Sequence, residues 1–115
     1  MAMASDMLRG YTDTILLRCL SDGDSYGYQM IKQIARLSNG VLELKEPTLY
    51  TAFRRLSQEG LIDSYWGDEL SGARRRYYRL TQQGHERLRA EQQAWLETRR
   101  TLDLLLLNSE AGMEE

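Results

Sequence analysis

From Gln82 to about Asn108 the sequence runs some 27 residues without a proline, behind a threonine, Thr81, placed to cap a helix. Leu88, Trp95 and Leu102 recur there every seven residues and Leu105 and Leu106 extend the seam, while Gln92 and Arg99 interrupt the intermediate positions. A chain of 115 residues needs most of its Leu, Ile, Val, Met and aromatic side chains for one core. Any apolar stripe left over after that core is filled calls for a partner. The single proline, Pro47, leaves the rest of the chain free for uninterrupted helices.

Several function classes are disfavoured by counting. Hydrophobic residues at 42% and charged residues at 28% match a soluble globular domain. A net charge of −2 neither suggests nor forbids a nucleic-acid partner. One cysteine, Cys19, cannot form an internal disulfide, and one histidine, His85, cannot build a His-rich metal cage. No catalytic constellation emerges: His85-Glu86 is not followed by a second histidine ligand, no glycine-rich phosphate loop occurs, and Cys19 falls on a core stripe. The expectation is a non-enzyme without metal or cofactor. The longest apolar run, Leu104 to Leu107, is far short of the ~20 residues of a membrane helix. Met1 to Asp6 carries neither a basic nor an apolar segment of the secretory kind, so the expected location is cytoplasmic.

The first helical pattern runs from about Asp6 to Leu20. Leu8, Tyr11, Ile15, Leu16 and Cys19 form one stripe, and Met7, Gly10, Thr14 and Leu17 a second of small or apolar residues. Either the helix has one broad buried face, or it has two, one for the core and one for another subunit. Ser21 to Ser25 is a turn, with Asp24 or Ser25 able to cap the next helix, which places Gly27, Met30, Ile31, Ile34 and Leu37 on one side and stops at Ser38-Asn39-Gly40. Val41 to Leu44 alternates and is long enough for a short strand.

A third helix spans Pro47 to Glu59, with proline in its first turn and Gly60 just past its end. Leu49, Ala52, Phe53 and Leu56 cluster on one side, while Tyr50, Thr51, Arg54 and Gln58 lie opposite, with Thr48 and Arg55 on one flank. Leu61 to Trp66 and Arg74 to Leu80 read as a hairpin joined by the polar turn Gly67 to Ala73. Tyr77 and Tyr78 alternate on the returning arm as packing residues.

Three helices followed by a hairpin is the winged helix-turn-helix order, in which the third helix enters the DNA major groove and the hairpin touches the flanking backbone. Residues 45–80 hold seven basic and five acidic residues, whereas the remainder holds eight basic and twelve acidic. Arg74, Arg75, Arg76 and Arg79 put four cations within six residues of the returning strand. Taken alone these are either charges that protect an edge strand or phosphate contacts. Beside a helix displaying Thr48, Tyr50, Thr51, Arg54 and Arg55, phosphate contact explains them better. The rival is a winged helix that binds a protein partner, which would expose apolar residues on the third helix.

Glu46-Pro47-Thr48-Leu49-Tyr50, then Arg55-Leu56 and Glu59-Gly60-Leu61-Ile62, resembles the recognition-helix motif of the PadR family of bacterial transcriptional regulators. Tyr26-Gly27-Tyr28 and the stretch Gly72 to Thr81 with Gly84 match the family's other motifs, and Ser64 to Glu69 with Trp95 is similar to its short, multidrug-responsive LmrR-like subgroup. The resemblance covers roughly residues 7–95.

It implies a mainly α fold with a small β-hairpin: a winged helix-turn-helix domain over residues 1–80, a C-terminal dimerisation helix over 81–108, and a frayed acidic tail over 109–115. It implies a homodimeric repressor of a pseudo-palindromic operator in double-stranded DNA. DNA contacts are expected from Tyr26, Thr48, Tyr50, Thr51, Arg54, Arg55, Arg74, Arg75 and Arg76. Met7, Gly10, Thr14 and Leu17 are then expected to face the partner's long helix, through residues equivalent to Leu88, Trp95 and Leu102. In relatives, paired tryptophans flank a central cavity for planar aromatic drugs, and Trp95 stands at the matching position, either as that stacking residue or as an ordinary interface aromatic. Arg99, one turn beyond Trp95, would repel a cationic ligand if it points inward, and Glu91 and Asp103 could offset it.

Overall fold

A computed structural model describes residues 7–67 and 74–108; the expected tail over 109–115 and most of the expected hairpin turn lie outside the described residues. After a 3-10 turn at Arg9–Tyr11, helix α1 covers Thr12–Ser21, strand β1 Ser25–Tyr26, and helix α2 Gly27–Leu37. Helix α3 covers Glu46–Gln58, strands β2 and β3 Ile62–Trp66 and Arg76–Leu80, and helix α4 Gln82–Leu106. The architecture is mainly helical with a small antiparallel sheet of order β1-β3-β2.

The core forms where the stripes converge. Leu16 and Leu20 of α1, Met30 and Ile34 of α2, and Leu49, Ala52, Phe53 and Leu56 of α3 are all buried, sealed by Ile62, Tyr78 and Leu80 from the sheet. Phe53 and Tyr78 stack with ring centroids 3.9 Å apart, so α3 packs directly on the β3 arm. Gly60 sits at φ +77°, the left-handed conformation that ends a helix with least strain on glycine, and the Leu61 and Gly60 amides donate to the Leu56 and Ser57 carbonyls. Thr81 caps α4 as expected, its Oγ1 accepting from the Gly84 amide at 3.0 Å.

Four sequence expectations are corrected. Val41 to Leu44 is not a strand: Leu42 and Leu44 drop into the core from irregular backbone, and the free edge of β3 is filled by Ser25 and Tyr26 instead, paired with Tyr78 and Tyr77. Neither Asp24 nor Ser25 caps α2. The N-cap is Tyr26 without a side-chain bond, and Ser25 Oγ donates to Gln29 Oε1 at 2.6 Å. Leu37 is 69% exposed, at the last position of α2, where it lines an open groove instead of the core. Leu17 and Leu88, expected on a face toward a second subunit, lie in the chain's own core at 1% and 5% exposure, because α1 is covered on both sides by α3 and the first turns of α4.

The long helix does not stay with the body. Beyond Leu88 every residue of α4 is exposed, and the molecule extends 69 × 31 × 20 Å. Among the described residues no helix is long and apolar enough to cross a membrane, and no group of three His, Cys, Asp or Glu could hold a metal ion.

Candidate nucleic-acid interface

Burial of Leu49, Ala52, Phe53 and Leu56 fixes which side of α3 faces outward, and Thr48, Tyr50, Thr51, Arg54, Arg55 and Gln58 are all exposed there. Tyr50 anchors one flank. Its ring meets Phe53 edge-on at 5.7 Å, and its hydroxyl occupies space that a side chain at residue 27 would need: a Cβ on Gly27 would lie 2.6 Å from it. Gly27 is therefore what lets α2 and α3 approach closely enough to support this side of the exposed face.

Arg54 opens onto a hollow of about 350 Å³ between α3 and the hairpin, lined by Tyr50, Phe53, Arg54, Ser57, Gln58, Arg76 and Tyr78. Two arginines line this recess, and among the described residues no Asp or Glu does. Such a concavity suits an anion, because the field of both cations is focused where low-dielectric walls limit screening.

The hairpin holds its cations on aromatic rings. The guanidinium carbons of Arg74 and Arg76 each sit 5.7 Å from the Trp66 ring centre, and that of Arg75 sits 4.6 Å from the Tyr26 ring. Arg76 Nε also donates to Ser64 Oγ at 3.0 Å. All three arginines remain exposed while their side chains lose rotamer freedom against the rings. Arg79 sits 5.2 Å from the Tyr65 ring centre and in addition pairs with Asp63 at 3.0 Å on the outer face of the sheet, which raises its pKa. Tyr26 is half-buried and meets Tyr77 edge-on at 5.5 Å. Tyr77 and Tyr78 pack as the alternation predicted, the first stacked on Tyr65 and the second on Phe53.

Arg55 departs from the expected arrangement. Its Nε and Nη2 donate to the two oxygens of Asp13 on α1, at 3.0 and 2.5 Å, and these bonds and the Asp13 charge raise its pKa. Its Nε–Nη2 edge thus points at α1, and Arg55 does not line the hollow beside Arg54. Asp13 was missed as a site residue because nothing local marks a pair 42 positions apart. Trp66 was missed as the seat of Arg74 and Arg76; an aromatic opposite an arginine run across a hairpin is the signal that could have found it.

A second feature lies on the far side of α1. A groove of about 470 Å³ is lined by Tyr11, Ile15 and Cys19, by Ile34, Leu37 and Leu42, and by Leu88 and Trp95. Trp95, 43% exposed, meets Tyr11 edge-on at 5.7 Å. Burial in this wall pushes the Cys19 thiol pKa up to about 11. Of the other residues expected around a ligand or partner, Met7, Gly10 and Leu102 are exposed and Thr14 donates to Glu91 Oε1 at 3.2 Å. Arg99 lies along α4 beside Asp103 at 4.0 Å and does not line the groove; Gln92 and Arg18 supply its polar rim.

A sequence model of the transcriptional regulator PadR-like family matches residues 16–90. A protein of Lysinibacillus sphaericus with no assigned function is 37% identical over 102 residues, covering 89% of this chain and 94% of that one. A transcriptional regulator from Clostridium thermocellum superimposes with a TM-score of 0.80 at 41% identity, covering 89% of this chain and 99% of its own. A PadR family transcription regulator from Clostridium difficile gives 0.75 at 36% identity, over 84% of this chain and 98% of its own. The chain belongs to the PadR-like family of transcriptional regulators.

Proposed function

We propose that two copies of this chain form a repressor that binds a pseudo-palindromic DNA operator and releases it when a planar aromatic molecule occupies the groove beside Trp95. The observation that carries the DNA reading is the hollow shared by Arg54 of α3 and Arg76 of β3, which no acidic side chain lines among the described residues. A helix exposing Thr48, Thr51 and Arg54 offers hydroxyls and a guanidinium fork to base edges, the fork suiting guanine. Arg74, Arg75 and Arg76 flank it as phosphate contacts, with Tyr26 and Tyr50 beside them. The polar face of α3 favours DNA over a protein partner, which would need apolar residues there.

The second copy is inferred from α4. Trp95, Leu102, Leu105 and Leu106 are between 43% and 73% exposed in one chain, on a helix that leaves the body. A two-fold partner covers them and presents two reading helices about one DNA turn, ~34–36 Å, apart. The same pairing closes the groove over Trp95, where flat aromatic molecules stack on the indole. Relief follows if the ligand binds the released dimer more tightly than the DNA-bound one. In this respect the chain is read as similar to the LmrR-like subgroup, acting in the cytoplasm.

The test separates readers from phosphate contacts. Arg54→Ala is expected to lower discrimination between operator and random DNA, by about 1–3 kcal/mol if it holds one base pair. Arg76→Ala is expected to weaken both DNAs alike and flatten the slope of log K against log salt by ~0.9. Binding that both variants leave unchanged contradicts the assignment of this face.

A further inference from the structure

Asp13 and Thr14, neighbours on α1, reach toward different helices. Thr14 donates to Glu91 of α4 at 3.2 Å, and Tyr11, a turn earlier, abuts Trp95. The first turn of α1 is thereby fixed to the long helix. From this fixed point Asp13 holds α3 through the Nε–Nη2 edge of Arg55. Asp13 is also well placed electrostatically, since a carboxylate in the first turn of a helix is favoured by the helix dipole.

The Arg55 and Asp13 side chains are 47% and 38% exposed, so the pair adds little to overall stability. Its value is directional. Two parallel N–H donors on one carboxylate fix an angle that a single contact leaves free. At 100° per residue Arg55 stands about a quarter-turn from Arg54, on the flank of α3 that faces α1. Tyr50 against Gly27 holds the opposite flank. The helix is thus held on both flanks, and the fork sets how far it rolls about its axis.

We propose that Arg55 is a positioning residue, whose fork to Asp13 sets the roll of the reading helix, and that it acts on DNA through that pose without touching DNA. This rests on the DNA reading above. A roll error of a few degrees displaces the Arg54 guanidinium, at the end of a long side chain, away from a base edge.

Charge reversal distinguishes a tether from a contact. The probe is the duplex recovered by binding-site selection with the unaltered chain, in a gel-shift titration at several salt concentrations. Arg55→Asp alone is expected to lower affinity at least tenfold. Adding Asp13→Arg restores the pair with its polarity reversed, and affinity is expected to return to within about threefold with the salt slope unchanged. If Arg55 touches phosphate, the aspartate repels DNA in the single and double variants alike and the slope flattens by ~0.9; absence of rescue overturns the proposal. Should the reversed pair fail to fold, the near-isosteric Asp13→Asn decides. A tether predicts lower affinity, whereas an affinity that rises, as Arg55 is freed for phosphate, or stays the same overturns it. Failure of the unaltered chain to select any duplex sinks the DNA reading itself, a result distinct from failed rescue.

Discussion

Removing Leu102 and Leu106 from the outer half of α4 puts the two-copy assembly to a quantitative test. Complete burial of a leucine side chain contributes roughly 1.5–3 kcal/mol. Leu102 is 43% exposed and Leu106 73%, so a partner has about 1 and about 1.5 kcal/mol left to gain from them respectively. In a two-fold interface each position occurs twice. Leu102→Ala is therefore expected to weaken the dimer by about 2 kcal/mol, or about 30-fold, and the double variant by about 5 kcal/mol, more than 10³-fold. Leu104, 58% exposed, falls nearly opposite Leu102 around the helix and serves as the control: Leu104→Ala is expected to leave the dimer unchanged. Sedimentation equilibrium over a range of concentrations measures all three. An association constant indifferent to Leu102 and Leu106, or equally sensitive to Leu104, refutes the reasoning.

Burial raises the Cys19 pKa from an ordinary thiol value to about 11, so the unfolded chain loses this proton first as pH rises. The thiol's contribution is then expected to be full below about pH 9 and to fall by about 2–3 kcal/mol toward pH 11, and Cys19→Ala is expected to remove that share of the alkaline decline in urea titrations, leaving the share of Tyr78, whose pKa burial also raises. Gly27→Ala places a methyl group on the Tyr50 hydroxyl and 3.2 Å from the buried Leu49 side chain; operator affinity is expected to fall severalfold and Tm to drop, and unaltered affinity would show that Tyr50 does not support the reading face. A planar dye is expected to quench the fluorescence of Trp95 and to lose that effect in Trp95→Ala, with Trp66 as the internal reference; quenching that survives places the dye elsewhere.

The stripes that fill the core were legible because each is set by one helical period. Leu49, Ala52, Phe53 and Leu56 were assigned to the core from 100° spacing alone, and they are buried. The cap at Thr81 and the stop at Gly60 were legible for the same local reason, whereas the cap expected at Asp24 or Ser25 is not formed. What escaped is non-local. A two-residue strand such as Ser25–Tyr26 has no period to detect and exists because β3 offers it an edge. Leu17 matched a stripe of small residues, yet α1 is enclosed on two sides, so that stripe contributes to the core as well. Arg55 matched a DNA-reading position by type and angle. Only the folded chain shows Asp13 meeting it.

Selection of bound duplexes from random-sequence DNA, with the unaltered chain at physiological salt, tests the central claim most directly. Two copies presenting Thr48, Thr51 and Arg54 are predicted to enrich an inverted repeat whose half-sites are centred about 10 base pairs apart. Recovery of no consensus, or of a lone asymmetric half-site, would contradict it.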